Sequence, residues 1–417
     1  MSAVWTAYRL LAPLAGALAP AAGAFAPRAE RERWAERLGF APVLGGCEAW
    51  IHAASMGECA AAQPLARELL ALDSEARLMV TSTTRTGRER LRSLGSPVAL
   101  APLDAPQAVR RFLSRVRPAR LLVIETELWP HWLIEARAAR IPVAFVSARI
   151  SERSARGYRR LGRPLRELLE SVSAVLCQTE GDAARWHGSG VPEARIALCG
   201  NLKFDALPEP VPASEQDARR AALGLAPGRP LLTLGSLRPG EASQLARAWM
   251  SLDPALRRRW QVAAVPRHEA ALEGLQAEAR AAGLESGAQG GDPGWHWDAR
   301  AGVLMAYYAA SDAAFVGASL VPLGGHNPLE PAAVGAAVLM GPEFGHQRQA
   351  VEALERHAGI EIAGGERLVQ ALATLIDDPG VREHRRRGGL AAVAELRGAA
   401  RRTVGELARR GIWPVNP

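Results

Sequence analysis

Short apolar runs alternate with helix-length segments through most of this chain, and that alternation admits essentially one fold class. Strand, turn and helix in series build an α/β fold on parallel sheets. The sequence predicts strands over 49–55, 77–81, 97–100, 121–125, 142–147 and 174–178, with a helix over 59–72 after the first. Around Pro208 to Pro212 the chain turns Pro-rich and irregular, the mark of a linker. A second series follows, with strands over 230–235, 260–265, 312–317 and 337–340. At 417 residues there is room for two ordinary domains. The expected architecture is two α/β domains of similar size, 27–207 and 208–417, facing across a cleft, with the last helix free to cross back to the first domain.

Composition narrows the partners. A net charge of +8 and a pI near 10.1 call for a polyanion: a phosphate-bearing small molecule, anionic lipid or nucleic acid. Aromatic content of 5% argues against nucleic acid, which wants aromatic residues among the basic ones. Cys47, Cys59, Cys177 and Cys199 show no paired short spacing, and the nine histidines form no ligand pattern. No metal site, cofactor or disulfide framework is expected, and the compartment reads as reducing. Residues 1–26 hold an Ala/Leu-rich stretch interrupted by Pro13, Gly16, Pro20 and Gly23, weak for a spanning helix. They read as a membrane anchor or interfacial segment with the rest in the cytoplasm; a buried apolar helix is the alternative. Arg149, Arg153, Arg156, Arg160 and Arg163 recur at spacings of three or four and predict one helical stripe. Such a stripe is either solvated surface or a contact for an anionic membrane leaflet.

Lys203 is the single lysine among 51 Lys plus Arg. An ammonium is a compact, rotatable point charge that planar guanidinium does not replace in a small pocket. Survival of one lysine by chance is the competing reading, and the count alone does not decide.

Four segments carry chemistry, each at the C-terminal end of a predicted strand, where open α/β sheets bind ligands. Ser55-Met56-Gly57-Glu58 opens a helix, so the dipole is expected to keep Glu58 ionised as a proton acceptor; a capping glutamate is the plainer role. Glu125-Thr126-Glu127 leaves a buried strand with two carboxylates that need partners, for which Lys203 and nearby arginines are candidates. Pro266-Arg267-His268 places a guanidinium suited to phosphate, or an ordinary surface arginine. Gly324-Gly325-His326-Asn327-Pro328-Leu329-Glu330 predicts a helix capped by Asn327, its free N–H groups aimed at an anion and Glu330 placed to accept from a ribose.

With these residues in view, the chain resembles the 3-deoxy-D-manno-octulosonic acid (Kdo) transferases of lipopolysaccharide biosynthesis. The resemblance runs through Arg37-Leu38-Gly39-Phe40, Ser55 to Glu58, Thr81 to Gly87, Glu125 to Pro130, Ser147-Ala148-Arg149, Lys203-Phe204-Asp205, Pro266-Arg267-His268 and Phe315 to Pro331. It implies a GT-B glycosyltransferase fold of two Rossmann-like domains, the first receiving a lipid A precursor (lipid IVA) and the second CMP-Kdo, at the cytoplasmic face of the inner membrane. By the same resemblance Glu58 is the base, and Glu125 with Lys203 stabilises the transition state. Pro266, Arg267, Ala301, Gly302, Val303, Asn327, Pro328, Leu329 and Glu330 fall at donor-binding positions. Departures concentrate in the donor half: Ala301-Gly302-Val303 stands for Met-Gly-Glu, Ser236-Leu237-Arg238 for Ser-Thr-His, and Gly317-Ala318-Ser319 for Gly-Gly-Ser.

The implied reaction is a single displacement with inversion, in which a monophosphate leaving group does not demand a divalent ion; the chain has no Asp-x-Asp motif. Two other classes remain open: a different GT-B nucleotide-sugar enzyme, such as an epimerase, and a non-catalytic protein that binds polyanions or a membrane surface.

Overall fold

The computed structural model describes Tyr8, Ala12, Pro13 and residues 28–284 and 294–414. Two compact units divide the chain. The first comprises residues 1–206 and 397–417, the second 207–396.

In the first unit, seven parallel strands among the described residues lie in the order β3-β2-β1-β4-β5-β6-β7. They are β1 (Ala49–His52), β2 (Leu78–Ser82), β3 (Val98–Leu100), β4 (Leu121–Ile124), β5 (Val143–Ala148), β6 (Ala174–Cys177) and β7 (Ile196–Leu198). Helices cover both faces, so the inner strands are apolar on both sides, as buried parallel strands must be. In β1, Trp50 enters the core with Phe112, Trp132 and Phe145, while Ala49 and Ile51 enter the opposite one with Leu65, Leu69 and Leu122. The second core is completed from far along the sequence: Val404, Leu407, Ile412 and Trp413 pack into it. The helix Ala399–Arg409 is fixed there by Asp205, whose carboxylate accepts the N–H of Gly398 at 2.6 Å and of Ala400 at 2.5 Å.

The second unit holds six parallel strands among the described residues, ordered β10-β9-β8-β11-β12-β13. These are β8 (Leu231–Leu237), β9 (Gln261–Pro266), β10 (His296–Trp297), β11 (Ala313–Val316), β12 (Ala337–Met340) and β13 (Ile360–Ile362).

Some expectations need correcting. The helix after β1 begins at Met56, three residues before the expected start, because Ser55 caps it by accepting the Glu58 N–H. The arginine stripe is not one helix. Glu152–Leu161 ends at Gly162, whose φ of +71° turns the chain, and Arg163 opens a separate helix, Arg163–Leu169. Arg149 lies before the first of these, so only Arg153, Arg156 and Arg160 share a helix. The anchor expected at 1–26 lies outside the described residues except Tyr8, Ala12 and Pro13. Among the described residues no helix is long and apolar enough to cross a membrane. Tyr8 is the part of that segment with a visible role: its hydroxyl bonds to the Asp104 carboxylate and its ring stacks on His131 at 5.3 Å.

Candidate active site

In the first unit, the C-terminal ends of β1, β4 and β5 bring together groups distant in sequence. Glu58 lies one turn into its helix and is 8% exposed. Its Oε2 accepts the Ala54 N–H at 2.7 Å, and its Oε1 accepts the Ser55 hydroxyl at 2.8 Å. Burial is the dominant influence and raises its pKa, against the hydrogen bonds of Ser55 and Ala54; Glu125 adds to the rise and Lys203 opposes it. The outcome is a stronger base than a solvated glutamate.

Glu125 follows β4 with a φ of +59°, a conformation non-glycine residues seldom adopt. Its backbone N–H is held by the Val146 carbonyl at 2.9 Å. The side chain receives Lys203 Nζ at 2.5 Å on Oε1 and stands 4.0 Å from Arg149 Nη1 through Oε2. Lys203 arrives on the 3-10 turn Leu202–Ala206. That turn is tied to β5 by the Leu202 N–H, which donates to the Ser147 hydroxyl at 3.2 Å. Gly57 faces the ammonium, and a Cβ there would lie 3.4 Å from Nζ, at van der Waals contact. The carboxylate left over in the motif, Glu127, is raised by burial and by the charges of Glu58 and Glu125, with Trp129 opposing. Burial and the Glu127 charge push the Tyr158 hydroxyl up to about 12. Glu127 is thus within electrostatic reach of Glu58 and Glu125, and Tyr158 within reach of Glu127.

The second unit carries a separate cavity of about 660 Å³. Pro266, Arg267, Ala301 and Gly302 line it, together with Ser236, His268 and Arg300. Val303 does not; it precedes the helix Leu304–Ala310 and packs with Tyr307 and Ala310. The helix expected at Asn327 is Leu329–Val334, only six residues, and Asn327 Oδ1 accepts the Leu329 N–H at 3.1 Å. So short a helix has little macrodipole to offer an anion, and Leu329 is fully buried with Pro328 beside it. Glu330 has its pKa raised by burial, against a hydrogen bond from Asn327 and the charge of Arg267, which brings this segment electrostatically to Arg267.

Two residues to which the sequence reading gave no role matter here. Glu241, wholly buried, accepts the N–H groups of Arg238, Ala318, Ser319 and Leu320 at 2.8 to 3.0 Å, tying the turn after β8 to the loop after β11. Ala318 sits in that loop at a φ of +60°, which explains why a glycine is at home in its place. His326 is held down at about 4 by burial and by the charges of Arg267, Arg238 and His268.

Comparison with known proteins fits this arrangement. Residues 32–206 match the family model described as 3-Deoxy-D-manno-octulosonic-acid transferase (kdotransferase). A 3-deoxy-D-manno-octulosonic acid transferase of Bordetella pertussis is 36% identical over 386 residues, covering 88% of each chain. The corresponding protein of Haemophilus influenzae is 30% identical over 393 residues, covering 90% of each. Among solved structures, a UDP-GlcNAc 2-epimerase from Neisseria meningitidis superposes with a TM-score of 0.62 at 14% identity, covering 87% of this chain and 99% of that one. A glycosyltransferase from Rickettsia africae gives 0.59 at 11% identity, covering 87% and 98%. These structures share a GT-B-like fold with it, whereas the sequence relatives decide the family: the chain belongs to the 3-deoxy-D-manno-octulosonic acid transferases.

Proposed function

We propose that this protein transfers Kdo from CMP-Kdo to a hydroxyl of a lipid A precursor, lipid IVA, with inversion at the anomeric carbon. The observation that carries the reading is the buried Glu58 carboxylate, its pKa raised, beside the Lys203–Glu125 pair. In the reaction the acceptor oxygen bonds to the anomeric carbon while its proton passes to Glu58. The bond to the phosphate oxygen breaks and its electron pair leaves with CMP. Lys203, paired with Glu125 beside the base, supplies the positive charge of the pair that stabilises the transition state. Pro266, Arg267, Ala301 and Gly302 form the donor cavity, with Arg267 on the phosphate. The acceptor places the protein at the cytoplasmic face of the inner membrane, held by residues 1–26 and by exposed arginines of the helix Glu152–Leu161 meeting anionic lipid.

Incubation with CMP-Kdo and lipid IVA, followed by mass analysis, tests the reading. It requires release of CMP and a lipid product heavier by one or more Kdo units. A sugar nucleotide altered in the absence of acceptor would replace the transferase with an epimerase.

A further inference from the structure

Two arginines follow neighbouring strand ends in the second unit, and among the described residues neither is in ion-pair contact with a carboxylate. Residue Leu237 pairs with Pro266 at the ends of β8 and β9, and the Arg267 N–H donates to the Leu237 carbonyl at 3.1 Å. Arg238 and Arg267 are therefore the next residues out on adjacent parallel strands. Among the described residues neither guanidinium is in ion-pair contact with an acid, although this chain pairs many of its other arginines. The Arg238 Nε is buried and has no hydrogen-bond partner. Glu330 senses the charge of Arg267, but it is hydrogen-bonded to Asn327 and not in ion-pair contact with the arginine. Glu241 cannot serve, because its two oxygens accept four backbone N–H groups, that of Arg238 among them.

The loop after β11 closes around the same place. The Gly317 N–H donates to the Gly235 carbonyl at 2.8 Å and the His326 N–H to the Gly317 carbonyl at 3.0 Å, which hangs His326 beside the two strand ends. Its imidazole is neutral at pH 7, as its lowered pKa shows, so it adds no third charge. Like charges at neighbouring strand ends repel one another, and an anion relieves the repulsion. A guanidinium is charged at all working pH values and offers a planar fork that matches carboxylate or phosphate. Two permanent cations call for two permanent anions on one ligand.

We propose that Arg238 is a specificity-determining residue that binds the carboxylate of the donor sugar, while Arg267 binds the donor phosphate. This rests on the assignment of CMP-Kdo as donor, because a nucleotide linked to a sugar acid carries two such charges. The pair would select sugar acids and reject nucleotide sugars whose sugar is neutral. Such selection is achieved by leaving a charged group unpaired when the wrong ligand enters.

The test is titration of the purified full-length chain with CMP-Kdo and with its methyl ester, in which the sugar carboxylate is neutralised. Wild type should bind CMP-Kdo about 10- to 100-fold more tightly than the ester, the worth of a charge-assisted hydrogen bond. R238Q should lose that difference by weakening CMP-Kdo alone, whereas R267Q should weaken both ligands alike. R238K, which keeps the charge without the fork, should retain part of the difference and serves where R238Q melts below wild type. Equal affinity of wild type for the two ligands, or equal weakening of both by R238Q, would overturn the assignment of Arg238. Absence of transfer to lipid IVA with this discrimination intact would remove the transferase reading and leave the inference standing.

Discussion

Lys203 Nζ lies 2.5 Å from Glu125 Oε1, and the glutamate holds that position on a backbone turned to a φ of +59°. A positive-φ glutamate is retained where its side chain must point one way. Lys203→Arg should therefore be well folded yet slowed by about 100-fold, because the planar group displaces its partner by an ångström or so. Lys203→Ala should be at least as slow. Turnover at saturating CMP-Kdo, with melting temperature measured in parallel, decides the matter. An arginine variant with wild-type turnover would return the lone lysine to chance.

Glu58→Gln should keep the fold and the affinity for CMP, but lose transfer by about 10²- to 10⁴-fold, the usual value of a positioned base. The pH dependence has a definite sign. Burial raises the pKa of Glu58, and the base works only when deprotonated, so the rate should fall as pH drops, at a pH above the ordinary glutamate range. The pH profile of kcat/KM for the free enzyme reads this directly. An acid limb at or below the ordinary range would separate Glu58 from the rate.

Two residues on from Lys203, Asp205 predicts the opposite phenotype. It caps Ala399–Arg409 with two charge-assisted hydrogen bonds, so Asp205→Ala should cost about 1.5 to 3 kcal/mol of stability. Turnover per folded molecule should stay near wild type. Denaturant unfolding alongside an assay at low temperature separates the two effects, and a stable but inactive variant would contradict the capping role.

Membrane association should have two parts. Removing residues 1–26 should leave binding to anionic vesicles at low salt that disappears near 1 M salt, where the screening length is about 3 Å. Replacing Arg153, Arg156 and Arg160 with Gln in the truncated protein should abolish the remainder. Truncated protein that ignores vesicles at low salt would make this helix ordinary solvated surface.

The inner strands were legible because parallel strands covered on both faces read as unbroken apolar runs, such as Leu121-Leu122-Val123-Ile124. The strands missed, β7, β10 and β13, all lie at sheet edges, are two or three residues long and are partly exposed, so they lack such a run. The same logic divides the site. Glu58, Glu125 and Lys203 announced themselves as ionisable groups at strand ends. Arg238 did not, because its significance lies in the partner it lacks, which only the register of β8 on β9 exposes. The burial that raises the Glu58 pKa was not legible, because it depends on distant chain segments, while a helix terminus can be read locally.

The way the chain is threaded through its two units bears on how it is made. Asp205 and Gly398 are hydrogen-bonded neighbours separated by 193 positions, so the second unit is an insertion between adjacent points of the first. On a ribosome, all of 207–396 emerges before Val404, Leu407, Ile412 and Trp413 can fill the first unit's core. The first unit can therefore complete its core only after the second has emerged. The nascent first unit waits with an open apolar face and Arg120 not yet covered by the Trp413 ring, which stands 4.6 Å from its guanidinium carbon in the finished fold. That interval is when a chaperone would have most to bind.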